Sequence, residues 1–233
     1  MAVSIVHVKI CGIRTEAGAH AVREAGADFA GLNFVPTSRR RIDIVKAATL
    51  AKLLAPVRVV GVFADAPLDA IRTVARALGL EWVQLHGQES EAMVEALACE
   101  FSVIKAVRVT GDRPIEVFAE ASPAASALLF DGPRPGQGKT FNWSSLAQIR
   151  IKRPFFLAGG LTPENVAEAI KTVRPFGVDT ASGIELDGRE NDGRIRAFVN
   201  EAKRRLPNAS TDASTDASTD VLTDVLTEEQ ERP

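Results

Sequence analysis

This chain is poor in the residues that staple a fold or hold a metal. It has two cysteines in 233 residues, Cys11 and Cys99, 88 positions apart, and so sparse a pair gives no disulfide framework. Its three histidines, at 7, 20 and 86, show no metal-ligand spacing. These absences favour a reducing cytoplasm, and chemistry without zinc. No apolar run approaches the roughly 18 residues of a membrane span. The start, MAVSIVHVKICG, lacks a basic n-region and a cleavage pattern, so no signal peptide is expected. One sign of charge does not dominate either: the net charge is −2. With the body's charge weak and scattered, neither nucleic acid nor a membrane is an expected partner.

From Pro207 the composition changes. The segment reads PNASTDASTDASTDVLTDVLTEEQERP, a Ser/Thr/Asp tract with a near four-residue repeat and seven acids against one arginine. It buries too little apolar surface to offset its chain entropy. Residues 207–233 therefore read as a disordered acidic tail, with an amphipathic helix over Val221–Leu226 as the alternative. What remains, residues 1–206, suits one barrel or sandwich domain.

The body alternates short β-branched runs with longer helical stretches. Strands are expected at HVKIC, FAGLNF, VRVVGVF, WVQLH, SVIKAV, ALLFD, FFLAG and FGVDT. Helices are expected over Glu16–Ala25, Ile44–Leu54, Leu68–Leu78, Ser90–Glu100 and Pro163–Val173; the fifth and sixth of the series look short, with Pro114 and Pro123 nearby. Leu68, Ile71, Val74, Ala75 and Leu78 make one apolar stripe. Gly26 and Gly79 sit where helices would end, in the left-handed conformation glycine tolerates. Helical crossovers join parallel strands, and eight strands suit a closed α/β fold, a single (β/α)8 TIM barrel. A flavodoxin-like open sheet is the alternative.

In such a barrel the chemistry lies at the C-terminal strand ends. The polar residues there are Cys11, Asn33, Asp65, His86, Arg108, Asp131, Gly159–Gly160 and the Asp179–Ser182 stretch. FFLAGGLTPENV ends a strand in two glycines, with Thr162 placed to cap a helix and Pro163 in its first turn. Such a turn lets an anion approach backbone N–H groups. Ser182-Gly183, after the next strand, can supply a second set of donors, and loops seven and eight are where these barrels bind phosphate. A small phosphorylated substrate is the expected partner. Cys11 is either a buried core thiol, the commoner fate, or a base at the barrel mouth; Cys99, on a helix stripe, reads as core. Asp131 either caps its loop or acts as an acid, since a carboxyl closing four apolar residues loses hydration, which favours its neutral form. The Arg39-Arg40-Arg41 run is an ordinary solvated loop or a carboxylate clamp. His86 is a proton relay or a satisfied polar group, and its spacing favours the second.

Taken together, VKICGIR, GLNFVPTSRR, GVFAD, VQLHG, IKAV, LLFD, GQGKTFNW, FLAGGLTPENV and VDTASGIE resemble, in order, the phosphoribosylanthranilate isomerases of tryptophan biosynthesis. The resemblance runs from about Val8 to Arg204 and excludes the tail. It implies an Amadori rearrangement of N-(5-phosphoribosyl)anthranilate without cofactor or metal, in which the ribose ring opens and an aminoaldose becomes an aminoketose. It implies that Cys11 is the general base at C2′ and Asp131 the general acid at the ring oxygen. Arg40, with Arg39 close behind, would face the anthranilate carboxylate. His86, Gly159, Gly160, Asp179, Ser182 and Gly183 complete the expected substrate-binding set, on a monomer or a homodimer. The family usually has two consecutive glycines after the acid, where this chain reads Pro135-Gly136-Gln137-Gly138.

Other phosphate-binding barrels fit less well. Pentose-phosphate epimerases lean on metal-binding histidines that three scattered ones do not supply. Indoleglycerol-phosphate synthases depend on lysine and glutamate at the mouth, and Lys9 would have to serve alone. A catalytically silent barrel would be expected to have lost Cys11 or Asp131.

Overall fold

The structure, a computed structural model, describes residues 6–109, 121–132, 143–147 and 151–204. The tail, its alternative helix over 221–226 and the 135–138 loop lie outside these residues. Eight parallel strands close into a barrel in sequence order, and the last pairs back to the first. They are β1 (His7–Cys11), β2 (Phe29–Asn33), β3 (Arg58–Phe63), β4 (Trp82–Leu85), β5 (Ser102–Arg108), β6 (Ala127–Asp131), β7 (Phe155–Leu157) and β8 (Gly177–Thr180). Closure is made by Val8 pairing with Val178 and Lys9 with Asp179, which excludes the open sheet.

Helices α1 (Glu16–Ala25), α2 (Ile44–Leu54), α3 (Leu68–Ala77) and α4 (Glu91–Ala98) follow the first four strands. A four-residue α5 (Ser144–Ala147), then α6 (Val166–Val173) and α7 (Asp192–Lys203), follow β6, β7 and β8. Local chemistry sets their starts. The side chains of Thr15, Asp43, Ser90 and Asn191 each accept the backbone N–H three residues on, which satisfies one of the donors a helix start leaves free. Gly26 and Gly79 are left-handed, as expected. The α3 stripe packs inward through buried Ile71 and Ala75, with Leu68, Val74 and Leu78 partly covered.

Two expectations are corrected. Cys99 is exposed, not core. Helix α4 stops at Ala98, and at 3.6 residues per turn Cys99 lies about 200° around from buried Leu97. Thr162 does not cap α6. The helix begins at Val166, and Asn165 fastens the preceding turn, accepting from the Thr162 N–H at 2.8 Å and donating to the Gly160 carbonyl at 3.0 Å.

Apolar side chains fill both sides of the sheet. Outside, helices pack on residues such as Val8, Ile10, Leu32 and Phe130. Inside, the lower barrel is plugged by Phe29, whose ring meets Trp82 and Phe156 edge-on at 5.4 and 5.5 Å. Truncating a buried phenylalanine such as Phe156 to alanine costs about 3–5 kcal/mol.

Candidate active site

Side chains alternate along a strand, so Lys9 and Cys11, Gly31 and Asn33, Gln84 and His86, and Leu129 and Asp131 share the inner face of the barrel with Asp179. The upper members of this set line a cavity of about 360 Å³ at the C-terminal end, within the size of small-molecule sites. Of the candidate residues, Cys11, Asp131, Arg40, His86, Gly159, Gly160, Asp179 and Ser182 line it. Arg39 and Gly183 do not. Asn33 and Arg108 also reach the cavity, whereas Asp65 turns away and accepts from the Gln88 N–H at 2.6 Å.

Cys11 is buried at the end of β1. Burial pushes its thiol up, against the pull of Lys9, and Asp179 adds to the rise. Lys9 lies two residues earlier on the same inward face, 0% exposed, with Nζ 2.8 Å from Asp179 Oδ1. Burial works to lower the Lys9 ammonium, but Asp179 and Cys11 outweigh it and raise it, so a positive charge is held beneath the thiol. Lys9 was not among the expected site residues, because its partner is 170 residues away.

Asp131 ends β6 and is also buried. Its Oδ1 accepts from the Gly132 N–H at 2.8 Å, and its Oδ2 lies 3.2 Å from His86 Nε2. His86 Nδ1 lies 2.8 Å from the side-chain nitrogen of Gln84, which is fully buried inside the barrel. His86 is thus tied to Asp131, an arrangement that sequence spacing did not favour.

Arg40 is brought to the rim by the loop after β2, where its backbone N–H bonds Ser38 Oγ at 3.1 Å. Its Nε and one terminal nitrogen both lie 2.8 Å from the Glu185 carboxylate. Arg39 reaches the same carboxylate from outside, with its side chain 54% exposed. Glu185 belongs to β9 (Glu185–Leu186), which pairs with β10 (Arg189–Glu190) in a short hairpin after β8. The hairpin therefore clamps the β2 loop.

The loops after β7 and β8 meet at the mouth. Gly159 and Gly160 have φ of 84° and 72°, a region that favours glycine. An added Cβ at Gly159 would lie 2.6 Å from the Gly132 nitrogen and 3.1 Å from Asp131 Oδ1. Thr180 Oγ1 donates to the Leu161 carbonyl at 2.7 Å. Gly183 is packed so closely on that carbonyl that any Cβ there would collide with it. Gly183 thus sits at the joint between the two loops, next to Ser182, which lines the cavity.

Around the rim the order is the Arg40 loop, Cys11 on β1, the two glycine-bearing loops, then Asp131 on β6. A thiol and a carboxyl group thus flank the two glycine-bearing loops, with an arginine at one side. Among the described residues no group of three or more His, Cys, Asp or Glu could hold a metal ion, and no helix is long and apolar enough to cross a membrane.

Comparison with known proteins places this geometry. Residues 8–201 match the family described as N-(5′-phosphoribosyl)anthranilate (PRA) isomerase. The chain is 39% identical over 197 residues to N-(5′-phosphoribosyl)anthranilate isomerase of Streptococcus pneumoniae, covering 84% of this chain and 95% of that protein. A solved structure of monomers generated from the dimeric phosphoribosylanthranilate isomerase of Thermotoga maritima superposes with a TM-score of 0.78 at 38% identity, over 85% of this chain and 99% of that one. Another phosphoribosylanthranilate isomerase, solved in complex with reduced 1-(o-carboxyphenylamino)-1-deoxyribulose 5-phosphate, gives 0.77 at 37% identity, over 85% and 99%.

Proposed function

The chain belongs to the N-(5′-phosphoribosyl)anthranilate isomerase family and is an isomerase of tryptophan biosynthesis, and from that premise we propose how its residues carry the reaction. Asp131 delivers a proton to the ribose ring oxygen as the C1′–O bond breaks, and the aniline nitrogen supplies the electrons to form a C=N bond. The Cys11 thiolate then removes the C2′ proton, leaving an enolamine with a C1′=C2′ double bond, which becomes the ketone as the C2′ hydroxyl loses its proton and C1′ gains one. The product is an isomer, so no oxidant or other co-reactant is consumed, and no cofactor is required.

One observation carries this reading. Cys11 and Asp131 lie on different strand ends, line one cavity, and have the glycine-bearing loops of β7 and β8 between them. A phosphate seated on Gly159, Gly160 and Ser182 anchors the far end of the substrate, so that binding energy remote from the reaction holds C1′ and C2′ in place. Arg40, on the far side of Cys11, faces the anthranilate carboxylate, while Glu185 fixes its angle. His86 and Asp179 pack against the reacting sugar, and Gly183 keeps the two anion-binding loops joined. The phosphate and carboxyl groups of the analogue bound by the relative are the two handles this arrangement suits.

The reading extends to a barrel domain over 1–206 with the tail as an appendage, working in the cytoplasm as a monomer or a homodimer. The dimeric Thermotoga maritima relative favours the homodimer. The direct test mixes purified protein with freshly generated phosphoribosylanthranilate and follows the loss of its fluorescence. Rapid enzyme-dependent loss is expected, and a rate equal to the uncatalysed background would overturn the assignment.

A further inference from the structure

Next to the acid of the proposed mechanism stands a group that ought to disable it. With ordinary values near 6.5 for histidine and 3.9 for aspartate, an imidazole outcompetes a carboxylate for a proton about 400-fold. His86 Nε2 lies 3.2 Å from Asp131 Oδ2. A histidine so placed should take the proton that Asp131 has to deliver, leaving an ion pair and no acid.

The other side of the imidazole resolves this. Gln84 precedes His86 by two residues on the inward face of β4, and its side-chain nitrogen is 2.8 Å from His86 Nδ1. An amide nitrogen has only N–H to offer, so Nδ1 must meet it with a lone pair. A neutral ring with a bare Nδ1 carries its proton on Nε2, and that N–H points at Asp131. A second proton on the ring would set two donors face to face at Nδ1, across a direct 2.8 Å contact with a fully buried side chain.

Gln84 is 0% exposed, and its Oε1 has no hydrogen-bond partner among the described residues. The structure sets the amide nitrogen, not Oε1, against Nδ1, and the opposite orientation would put the ring proton on Nδ1 instead. The second buried carboxyl of the cavity, Asp179, has Lys9 as its counter-ion at 2.8 Å and does not need a charge on His86.

We infer that Gln84 is a positioning residue that holds His86 in its Nε2–H form, so that His86 can donate to Asp131 but cannot take its proton. Oδ1 is held by the Gly132 N–H and Oδ2 by His86, which orients the carboxyl group. When Asp131 gives its proton to the ring oxygen, the same two donors stabilise the carboxylate that remains. The proton leaves Asp131 for substrate and returns to it later, and His86 keeps its own throughout.

This inference rests on Asp131 being the acid, and its test separates the two. In full-length protein labelled with 15N-histidine, a two-bond 1H–15N spectrum at pH 7.5 reads the tautomer, with His86 assigned by its loss in His86→Asn. The expected pattern has a bare Nδ1 and a protonated Nε2; a protonated Nδ1, with or without Nε2–H, overturns the inference. In Gln84→Glu a carboxylate meets Nδ1 and invites the second proton. The doubly protonated pattern should then appear, with kcat down at least about 10-fold, below the full 10²–10⁴-fold of a lost acid, and KM within about 2-fold. Unchanged kcat in a folded Gln84→Glu also overturns it. If that variant does not fold, the wild-type spectrum decides alone. Full activity in Asp131→Asn would instead remove the acid assignment, whatever the spectrum shows.

Discussion

Replacing Gly31 with alanine puts a methyl group against the thiol. Gly31 lies beside Cys11 in the parallel register of β1 and β2, and a Cβ built there would be 2.7 Å from Cys11 Sγ, 3.2 Å from its Cα and 3.3 Å from its Cβ. Ordinary contact between such atoms lies near 3.5–4.0 Å, so the thiol or the strand must move by about 1 Å. Overpacking of this kind costs about 1–3 kcal/mol. At 2–4 °C per kcal/mol for a domain of this size, that is a fall in Tm of about 2–12 °C. Activity should suffer more, because misplacing a reacting group by about 1 Å costs on the order of 10²-fold in rate. The fluorescence assay gives kcat and KM, and a thermal melt gives the stability. A folded Gly31→Ala enzyme with wild-type kcat would refute both the packing and the role given to Cys11.

Further perturbations separate the remaining parts. Arg40→Met should raise KM about 30-fold or more, the effect of about 2 kcal/mol at a buried charged contact, whereas exposed Arg39→Met should stay within about 3-fold; equal effects would contradict the choice of Arg40. Burial raises the Cys11 thiol, and the base acts only when ionised, so kcat/KM should climb with pH through a midpoint above the ordinary thiol range near 8.5. By the same shift the folded protein holds this proton more tightly than the unfolded chain does. That contribution to stability should be whole at neutral pH and lost as pH rises through the folded value, which urea unfolding at several pH values reads directly. Truncation after residue 206 should leave Tm and kcat unchanged within error, and a fall of many degrees would show that the tail packs on the barrel.

The strands were legible because each is a short apolar run ending in a polar residue, and in a barrel those ends converge. Cys11, His86, Asp131 and Asp179 were found in that way without any knowledge of their contacts. Helices α1 and α2 were also legible to the residue, since Thr15 and Asp43 mark their starts. What stayed hidden depends on partners distant in sequence. The Glu185 clamp on Arg40 spans 145 residues, and the Lys9–Asp179 pair exists only because β8 closes onto β1. Gln84 is one polar residue in an apolar strand, and its meaning comes from the ring two positions on. Gly31 and Gly183 carry no sequence signal beyond being glycine, because what they make room for lies on neighbouring elements. The misplacement of Cys99 had a local cause, a helix ending at Ala98, two residues earlier than its apolar pattern suggested.

The central claim is that Cys11 and Asp131 exchange the protons of this isomerisation. It is tested most directly by measuring kcat for Cys11→Ala and Asp131→Asn alongside their affinity for the reduced product analogue. Each variant should lose at least about 10²-fold in kcat, the low end for a missing general acid or base, while binding the analogue within a few-fold of wild type. Near-normal turnover in Cys11→Ala would contradict the account, leaving a phosphate-binding barrel whose base lies elsewhere.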